Sequence, residues 1–291
     1  MIMATVDINT KFVTLLGSPL RQSFAALMQN AAYEEAGLNM VYFYTEVNGE
    51  HLEDVVKGLR YMNIAGFAVT KPNKVDVLKY LDELDPLCEK MGATNTVVKT
   101  ADGRLVGYNT DGIGFIRSLQ RDANVNIEDH TYFCIGSGGA GRAMCSALAD
   151  HGAKKIYITD VFEESSRSLV DDINNKFAPV AEFCPNGDYS KVKDASIVMN
   201  ASGIGMGVHI GEDPLPKEYF FKDKLYFDAC YNPTKTQFLI DAEEAGARIL
   251  NGLGMSLYQG AAQIEIWTGK EAPVAAMREK LLEAIAIRDA K

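Results

Sequence analysis

The sequence predicts an α/β protein of two α/β domains, an N-terminal one with a mostly parallel sheet and a second of the Rossmann type. Three observations lead there. Short apolar runs alternate with helix-period patterns along almost the whole chain, the mark of βαβ units. One such run feeds Gly136-Ser137-Gly138-Gly139-Ala140-Gly141, a G-x-G-x-x-G loop that opens a helix. The length, 291 residues, suffices for two domains of ordinary size.

The elements follow in order. Residues 12–17 (FVTLLG) read as a strand, and Ser23 is placed to N-cap a helix running to about Gly37. Residues 41–47 are strand-like, 51–61 helical, and 64–70 (IAGFAVT) a strand again. Pro72 suits a first helical position, so 72–84 reads as a helix. TVVK and RLVGY pair as strands about the turn Asp102-Gly103, and 110–121 is helical. A second α/β series begins at Tyr132: YFCI, a helix, KKIYIT, a helix, a strand near Val180, ASIVMN, a glycine-rich loop, LYFDA and RIL. Helical patterns at 255–267 and 273–288 close the chain. No repeat or Pro/Ser-rich linker marks a boundary, which therefore lies hidden near Thr110. Residues 1–109 with 254–291 are expected to form one domain and 110–253 the other.

Composition narrows the function. With 47% hydrophobic and 23% charged residues the chain has an ordinary soluble make-up, and no apolar run has the length of a membrane span. No basic-then-apolar leader opens it, so a cytoplasmic location without a membrane partner is expected. The five cysteines form no C-x-x-C pair and no metal spacing, which fits reduced thiols and no metal site. A formal charge of -10 excludes nucleic acid as a partner, and an anionic substrate would need a locally positive site.

In the glycine loop the first glycine permits the tight turn and the second admits a pyrophosphate to the backbone. The third lets helix and strand pack closely, and the helix N-terminus attracts the phosphates. The next strand ends at Asp160, about where a ribose-binding acid belongs; a carboxylate there accepts the ribose hydroxyls and repels a 2′-phosphate. Val161 and Phe162 follow, so no arginine stands adjacent to clamp that phosphate, although Arg167 is close enough to reach in. NAD is therefore expected, with NADP possible. Alternatively Asp160 caps the following helix, Glu163 completing a capping box.

A nicotinamide enzyme acting on an alcohol also needs a proton acceptor. The four histidines, His51, His130, His151 and His209, sit in helical, turn or loop patterns that favour surface or structural roles. Lys74, in GFAVTKPNK, falls in the first turn of the helix expected from Pro72, where the dipole opposes its charge and lowers its pKa. Lys71, before the proline, lacks that setting. Asp111 in YNTDG is the natural partner for Lys74, or else a cap, as Thr110 is. Asn95 in GATNT is a turn residue or a hydroxyl binder.

Taken together, GSPLRQS, VTKPNK, GATNT, YNTDG, GSGGAG, CYNPTK and NGLGMSLYQGA resemble, in order and over essentially the whole chain, the shikimate dehydrogenase family, nearest its quinate/shikimate branch. The resemblance implies an N-terminal substrate domain completed by the C-terminal helices, a Rossmann domain between, and an active site in the cleft. It implies reversible hydride transfer between the cofactor and the ring carbon bearing the 3-hydroxyl of shikimate or quinate, a small anionic ring acid. It makes Lys74 the general acid/base and Asp111 its partner. Thr70, Asn95, Thr110 and Gln259 become binders of ring hydroxyls, Ser23 a binder of the carboxylate, and Tyr42 and Tyr231 lining residues. Gly136, Gly138, Gly139, Ala140, Asp160, Asn200 and Gly252 become the cofactor site, and a homodimer is compatible with it. Asp160 stands where NADP-dependent members carry an asparagine-arginine-threonine run, in line with NAD.

Two positions depart from the family pattern. Its Ser-x-Ser carboxylate site is here Ser23-Phe24-Ala25, and an asparagine common before V-T is here Ala68. A lost hydrogen bond to a charged oxygen costs ~1.5–3 kcal/mol, roughly a ten- to hundredfold drop in affinity. This leaves room for a dehydrogenase of a related polyol or amino-substituted ring acid, or for a non-catalytic sensor of NAD or a ring acid, against which the retained Lys74 and Asp111 speak. Methylenetetrahydrofolate dehydrogenases also combine a lysine-bearing α/β domain with a Rossmann domain, but NTDG and GLGM…QGA favour the shikimate side.

Overall fold

In the computed structural model, which describes residues 6–21 and 23–290, the alternation of apolar and helix-period runs becomes two separate β/α units. The first takes in the chain up to Thr110 and from Leu257 onward, the second Asp111–Ser256.

The first unit begins β1 (Lys11–Gly17), α1 (Ala25–Glu35), β2 (Met40–Glu46), α2 (Leu52–Arg60) and β3 (Ile64–Val69). It continues β4 (Glu83–Leu84), α3 (Pro86–Met91), β5 (Thr96–Lys99) and β6 (Leu105–Tyr108). The sheet order is β2-β1-β3-β5-β6-β4; β5 alone runs antiparallel to both its neighbours. Leu16, Phe67, Val69 and Val97 from the strands pack with Leu52, Val56 and Leu59 of α2 as a buried core. The β5–β6 turn lies where Asp102-Gly103 predicts it, with Gly103 at φ +86, a left-handed value that glycine adopts without penalty.

Two local expectations are corrected. Residues 72–84 are not an α-helix: 71–75 form turns, Asp76–Tyr80 a 3₁₀ helix, and Glu83–Leu84 a strand. The Lys71–Pro72 bond is cis. The reason is tertiary, since Ser18 N–H donates to the Lys71 carbonyl, Thr94 N–H to that of Lys74, and Asn73 Nδ2 to that of Val47. Those carbonyls and that amide belong to strand ends instead of a helical ladder. Ser23, likewise, is not the N-cap of α1, which is Phe24; the Ser23 hydroxyl instead accepts from Ala25 N–H at 3.2 Å. The helix α3 is absent from the sequence expectation, although its Asp85 cap, Pro86 and left-handed Gly92 are ordinary start and stop signals.

The second unit runs α4 (Asp111–Ala123), β7 (Thr131–Ile135), α5 (Gly139–Asp150), β8 (Lys155–Thr159), α6 (Glu163–Lys176), β9 (Ala181–Phe183), β10 (Ile197–Asn200), β11 (Leu225–Asp228), α7 (Gln237–Glu244) and β12 (Arg248–Asn251). Its sheet is wholly parallel, ordered β12-β11-β10-β7-β8-β9, which is the doubly wound Rossmann order. Tyr132 and Cys134 face one core while Phe133 and Ile135 face the other, so the strand is buried on both sides and reads as a continuous apolar run. The chain closes with α8 (Leu253–Thr268) and α9 (Val274–Asp289). Among the described residues no helix is long and apolar enough to cross a membrane.

Candidate active site

In the first unit the sequence VTKPNK forms a turn at the end of β3 whose backbone is tied down on every side. Thr70 N–H donates to Leu16 at 2.8 Å, Asn73 N–H to Thr70 at 2.9 Å, and Thr94 N–H to the Lys74 carbonyl at 2.9 Å. Lys74 is half-buried and Lys71 exposed. No α-helix starts here, so the helix-dipole argument for Lys74 loses its basis; what holds the residue is the turn.

Beside that turn lies a buried amide and hydroxyl cluster. The Asn95 carbonyl oxygen Oδ1 accepts from Thr110 N–H (2.8 Å) and Thr96 Oγ1 (2.8 Å), while its Nδ2 donates to Thr110 Oγ1 (3.0 Å) and Gln259 Oε1 (3.4 Å). Gln263, one turn beyond Gln259 on α8, donates to Thr96 Oγ1 (3.1 Å) and accepts from Gln29 Nε2 (3.1 Å). Asn95, Thr110 and Gln259, far apart in sequence, are thus brought together. Thr96, Gln263 and Gln29 complete the cluster and were not anticipated; the i, i+4 spacing of the two glutamines in YQGAAQ was the available signal. Tyr42 is buried on β2, its backbone held by both ends of the Asn30 amide and its ring 6.3 Å from that of Trp267. Burial, with the Tyr33 and Tyr44 phenols nearby, raises the Tyr42 pKa well above the usual range. Ser23 lies just ahead of α1, within reach of Tyr44.

In the second unit the glycine loop leaves β7 at the point where strand order reverses, between β7 and β10. Two of the glycines meet close backbone contacts. Gly136 has φ +103, and a Cβ there would lie 2.6 Å from Ser202 N; a Cβ on Gly141 would lie 2.0 Å from the Gly136 oxygen. Gly138 and Gly139 face open space at the start of α5. Asp160, just past β8, accepts from Ser137 N–H (2.5 Å) and Ser137 Oγ (2.8 Å) through Oδ2, and from Phe162 N–H (2.9 Å) through Oδ1. The capping box does not form, since Glu163 Oε1 accepts from Asn186 N–H instead. Arg167 stacks 3.6 Å from the Phe183 ring centroid and pairs with Glu163, while Val161 and Phe162 are exposed.

Asn200 is fully buried and its amide fully used: Nδ2 donates to Ile204 O and Asp228 Oδ1, and Oδ1 accepts from the N–H and hydroxyl of Ser202. It shapes the loop after β10 that flanks Gly136. Burial raises the pKa of Asp228, whose Oδ1 also accepts from Cys230 N–H, next to half-buried Tyr231. Gly252 packs so tightly on Ala229 that a Cβ would lie 2.2 Å from its oxygen. Asp111 is the first residue of α4, a position where the dipole favours a carboxylate. Of the histidines, His130 meets Ser196, His151 the Ala147 carbonyl and His209 Glu212, while His51 precedes α2. Among the described residues no group of three or more His, Cys, Asp or Glu is placed to hold a metal.

Against known proteins, the model of the shikimate dehydrogenase substrate binding domain matches residues 15–97, and that of the shikimate 5'-dehydrogenase C-terminal domain matches 252–282. A shikimate dehydrogenase (NADP(+)) from Moorella thermoacetica is 38% identical over 97% of this chain and 96% of its own. Among solved structures, shikimate 5-dehydrogenase from Listeria monocytogenes in complex with shikimate and NAD has a TM-score of 0.90 at 39% identity, covering 95% of this chain and 98% of that one. Quinate dehydrogenase from Corynebacterium glutamicum in complex with NAD has a TM-score of 0.88 at 29% identity, covering 94% and 99%. The ligand-free 5-ketofructose reductase of a Gluconobacter strain has a TM-score of 0.86 at 31% identity, covering 96% and 100%.

Proposed function

The chain belongs to the shikimate dehydrogenase family, and on that premise we propose that it is an NAD-preferring dehydrogenase of the 3-hydroxyl of quinate or shikimate. The observation that carries the reading is the convergence of the VTKPNK turn with the Asn95–Thr110–Gln259 cluster in one unit. A row of hydroxyl-binding groups there adjoins a half-buried lysine. In this reading residues 1–109 and 254–291 bind substrate and 110–253 bind the dinucleotide. The nicotinamide, when bound, supplies the two-electron acceptor. The chain does the rest: Thr70, Asn95, Thr110 and Gln259 fix the ring hydroxyls, Ser23 meets the carboxylate end, and Tyr42 and Tyr231 line the site. Lys74 takes the proton from the reacting hydroxyl with Asp111 as its partner.

The glycine loop fits a pyrophosphate, with Gly136, Gly138, Gly139 and Ala140 around it and Asn200 and Gly252 shaping its surroundings. The preference for NAD rests on Asp160 and on the absence of an arginine beside it, Arg167 being engaged by Phe183. The NADP(+) of the Moorella relative's name makes the cofactor the first thing to measure. Mixing the protein with NAD or NADP and shikimate or quinate, in all four combinations, tests the reading through nicotinamide absorbance. Lys74→Ala should abolish turnover and spare cofactor binding, and Lys71→Ala should keep most activity; a near-normal Lys74→Ala would refute the assignment.

A second reading, dehydrogenation of a related polyol, draws on Ala25 and Ala68 and on the likeness to a 5-ketofructose reductase. It shares the same catalytic groups and differs only in what the far end of the substrate carries.

A further inference from the structure

Behind the Asn95–Thr110–Gln259 cluster runs a chain of buried side chains whose direction is fixed at both ends by backbone groups. At one end Gln29 Nε2 donates to the Gly260 carbonyl (3.1 Å), which can only accept, and to Gln263 Oε1 (3.1 Å). At the other, Thr110 N–H, which can only donate, bonds Asn95 Oδ1 (2.8 Å). Gln263 Nε2 lies between, donating to Thr96 Oγ1 (3.1 Å) and to the Asn95 backbone carbonyl (3.4 Å). Gln29, Asn95, Thr96, Thr110 and Gln263 are each at most 3% exposed, so bulk water does not compete for these bonds.

The adjustable part is the Thr96 hydroxyl, a rotor with one donor and two acceptor lone pairs. Asn95 Oδ1 at 2.8 Å and Thr110 Oγ1 at 3.3 Å both lie within reach of its proton. The N–H from Gln263 occupies one of its lone pairs and, with the shorter approach to Asn95, turns the proton onto Asn95 Oδ1. Gln263 in turn cannot flip, because Gln29 donates to its oxygen and the Asn95 carbonyl accepts from its nitrogen. With two donors on Oδ1, the Asn95 amide nitrogen faces Thr110 Oγ1 (3.0 Å) and Gln259 Oε1 (3.4 Å). Thr94, the residue before Asn95, bonds the Lys74 carbonyl through its N–H at 2.9 Å, so this amide is joined to the turn that carries the lysine.

We propose that Gln263 is a positioning residue of the reaction. With Gln29 behind it, it directs the Thr96 proton onto Asn95, so that Asn95 meets a ring hydroxyl as an N–H donor and the hydroxyl meets it as an acceptor. The inference rests on the dehydrogenase reading above, in which Asn95 binds a ring hydroxyl, and adds the residues that set the polarity of that contact. Gln263 acts only through Thr96 and Asn95, so its loss belongs in KM more than in kcat.

The test measures kcat and KM for shikimate and quinate in the wild type, Gln263→Met, Thr96→Val and the double variant. Fluorescence titration gives the affinity for reduced nicotinamide cofactor, and urea unfolding the stability. Gln263→Met keeps the side-chain length and removes both amide functions, while Thr96→Val keeps the shape and removes the hydroxyl. Each single variant should raise KM about tenfold, as one lost hydrogen bond implies, with kcat and cofactor affinity within about twofold of wild type. The double variant should be no worse than the worse single one, because both break the same relay; effects that multiply denote independent packing damage and overturn the proposal. Gln263→Glu serves if Gln263→Met does not fold. Its carboxylate can only accept, so its KM defect relative to wild type should shrink as pH falls and the carboxyl gains a proton to donate to Thr96. A defect unchanged with pH overturns the relay. Single variants with wild-type KM also overturn it and leave the dehydrogenase reading standing, whereas a wild type that turns over neither acid with either cofactor overturns both.

Discussion

Asp160→Asn probes the joint between the glycine loop and the ribose-reading acid. The carboxylate receives three donors: Ser137 N–H at 2.5 Å and Ser137 Oγ at 2.8 Å on one oxygen, and Phe162 N–H at 2.9 Å on the other. Asparagine keeps an acceptor for Phe162 but turns an NH₂ toward the two Ser137 donors. Each charge-assisted bond contributes about 1.5–3 kcal/mol, so two set an upper bound of about 3–6 kcal/mol. The Ser137 hydroxyl has a second partner in Ser165 Oγ at 2.9 Å, and the site is half-exposed, so a loss of about 2 kcal/mol is the working figure. If that stabilisation holds the loop in its phosphate-binding shape, the Kd for NAD should rise about 30-fold. NADP, which does not profit from the carboxylate, should lose less, so the NAD/NADP preference should narrow. Denaturant unfolding reports the stability change and fluorescence titration of both reduced cofactors the binding change. An NAD affinity within twofold of wild type, at reduced stability, would refute the coupling of loop and acid.

Two further predictions concern the second unit. Gly141→Ala forces a Cβ to 2.0 Å from the Gly136 oxygen and should destabilise the fold by about 1–3 kcal/mol, whereas Gly138→Ala, whose Cβ meets no protein atom, should unfold normally yet lose dinucleotide affinity; equal effects on both readouts would contradict the division of roles. Burial lifts the Asp213 carboxyl to about 6, above the ~3.9 of an unfolded chain. Its ionisation thus costs the folded state nothing below pH ~4 and the full penalty above pH ~6, and Asp213→Asn should add about 1–2 kcal/mol at pH 7 and little at pH 4 in urea unfolding.

Much of the second unit was legible because its strands are buried on both faces and its glycines are fixed by backbone contacts a sequence pattern encodes. The stretch after β3 was not. Pro72 with Val75, Leu78 and Leu81 fits a helix locally, and what prevents one are carbonyl partners at Ser18 and Thr94 and an amide partner at Val47, remote in sequence. Lys74 was therefore singled out by an argument its surroundings do not support, although its motif remains. Asp160 was legible as a chain-end acid, but its bonds to Ser137 were not, because the loop and the strand end meet only once the sheet is formed.

The convergence of the first unit's candidate residues follows from one reversed strand. In a wholly parallel sheet, the loops after successive strands share an edge and those before them lie at the other. Here β5 is antiparallel to β3 and β6, with Ala68 opposite Thr96 and Thr96 opposite Tyr108. That register carries the residue before β5, Asn95, to the edge where β3 delivers Thr70 and Lys74 and β6 delivers Thr110; Val69 N–H bonds the Asn95 carbonyl at 2.8 Å. Gln259 arrives separately on α8. Motifs separated by dozens of residues thus meet because the hairpin about Gly103 sets the β5–β6 register. A slip of one residue there would turn Thr96 to the opposite face and part Asn95 from Thr110, so that hairpin positions the candidate site without contributing a side chain to it.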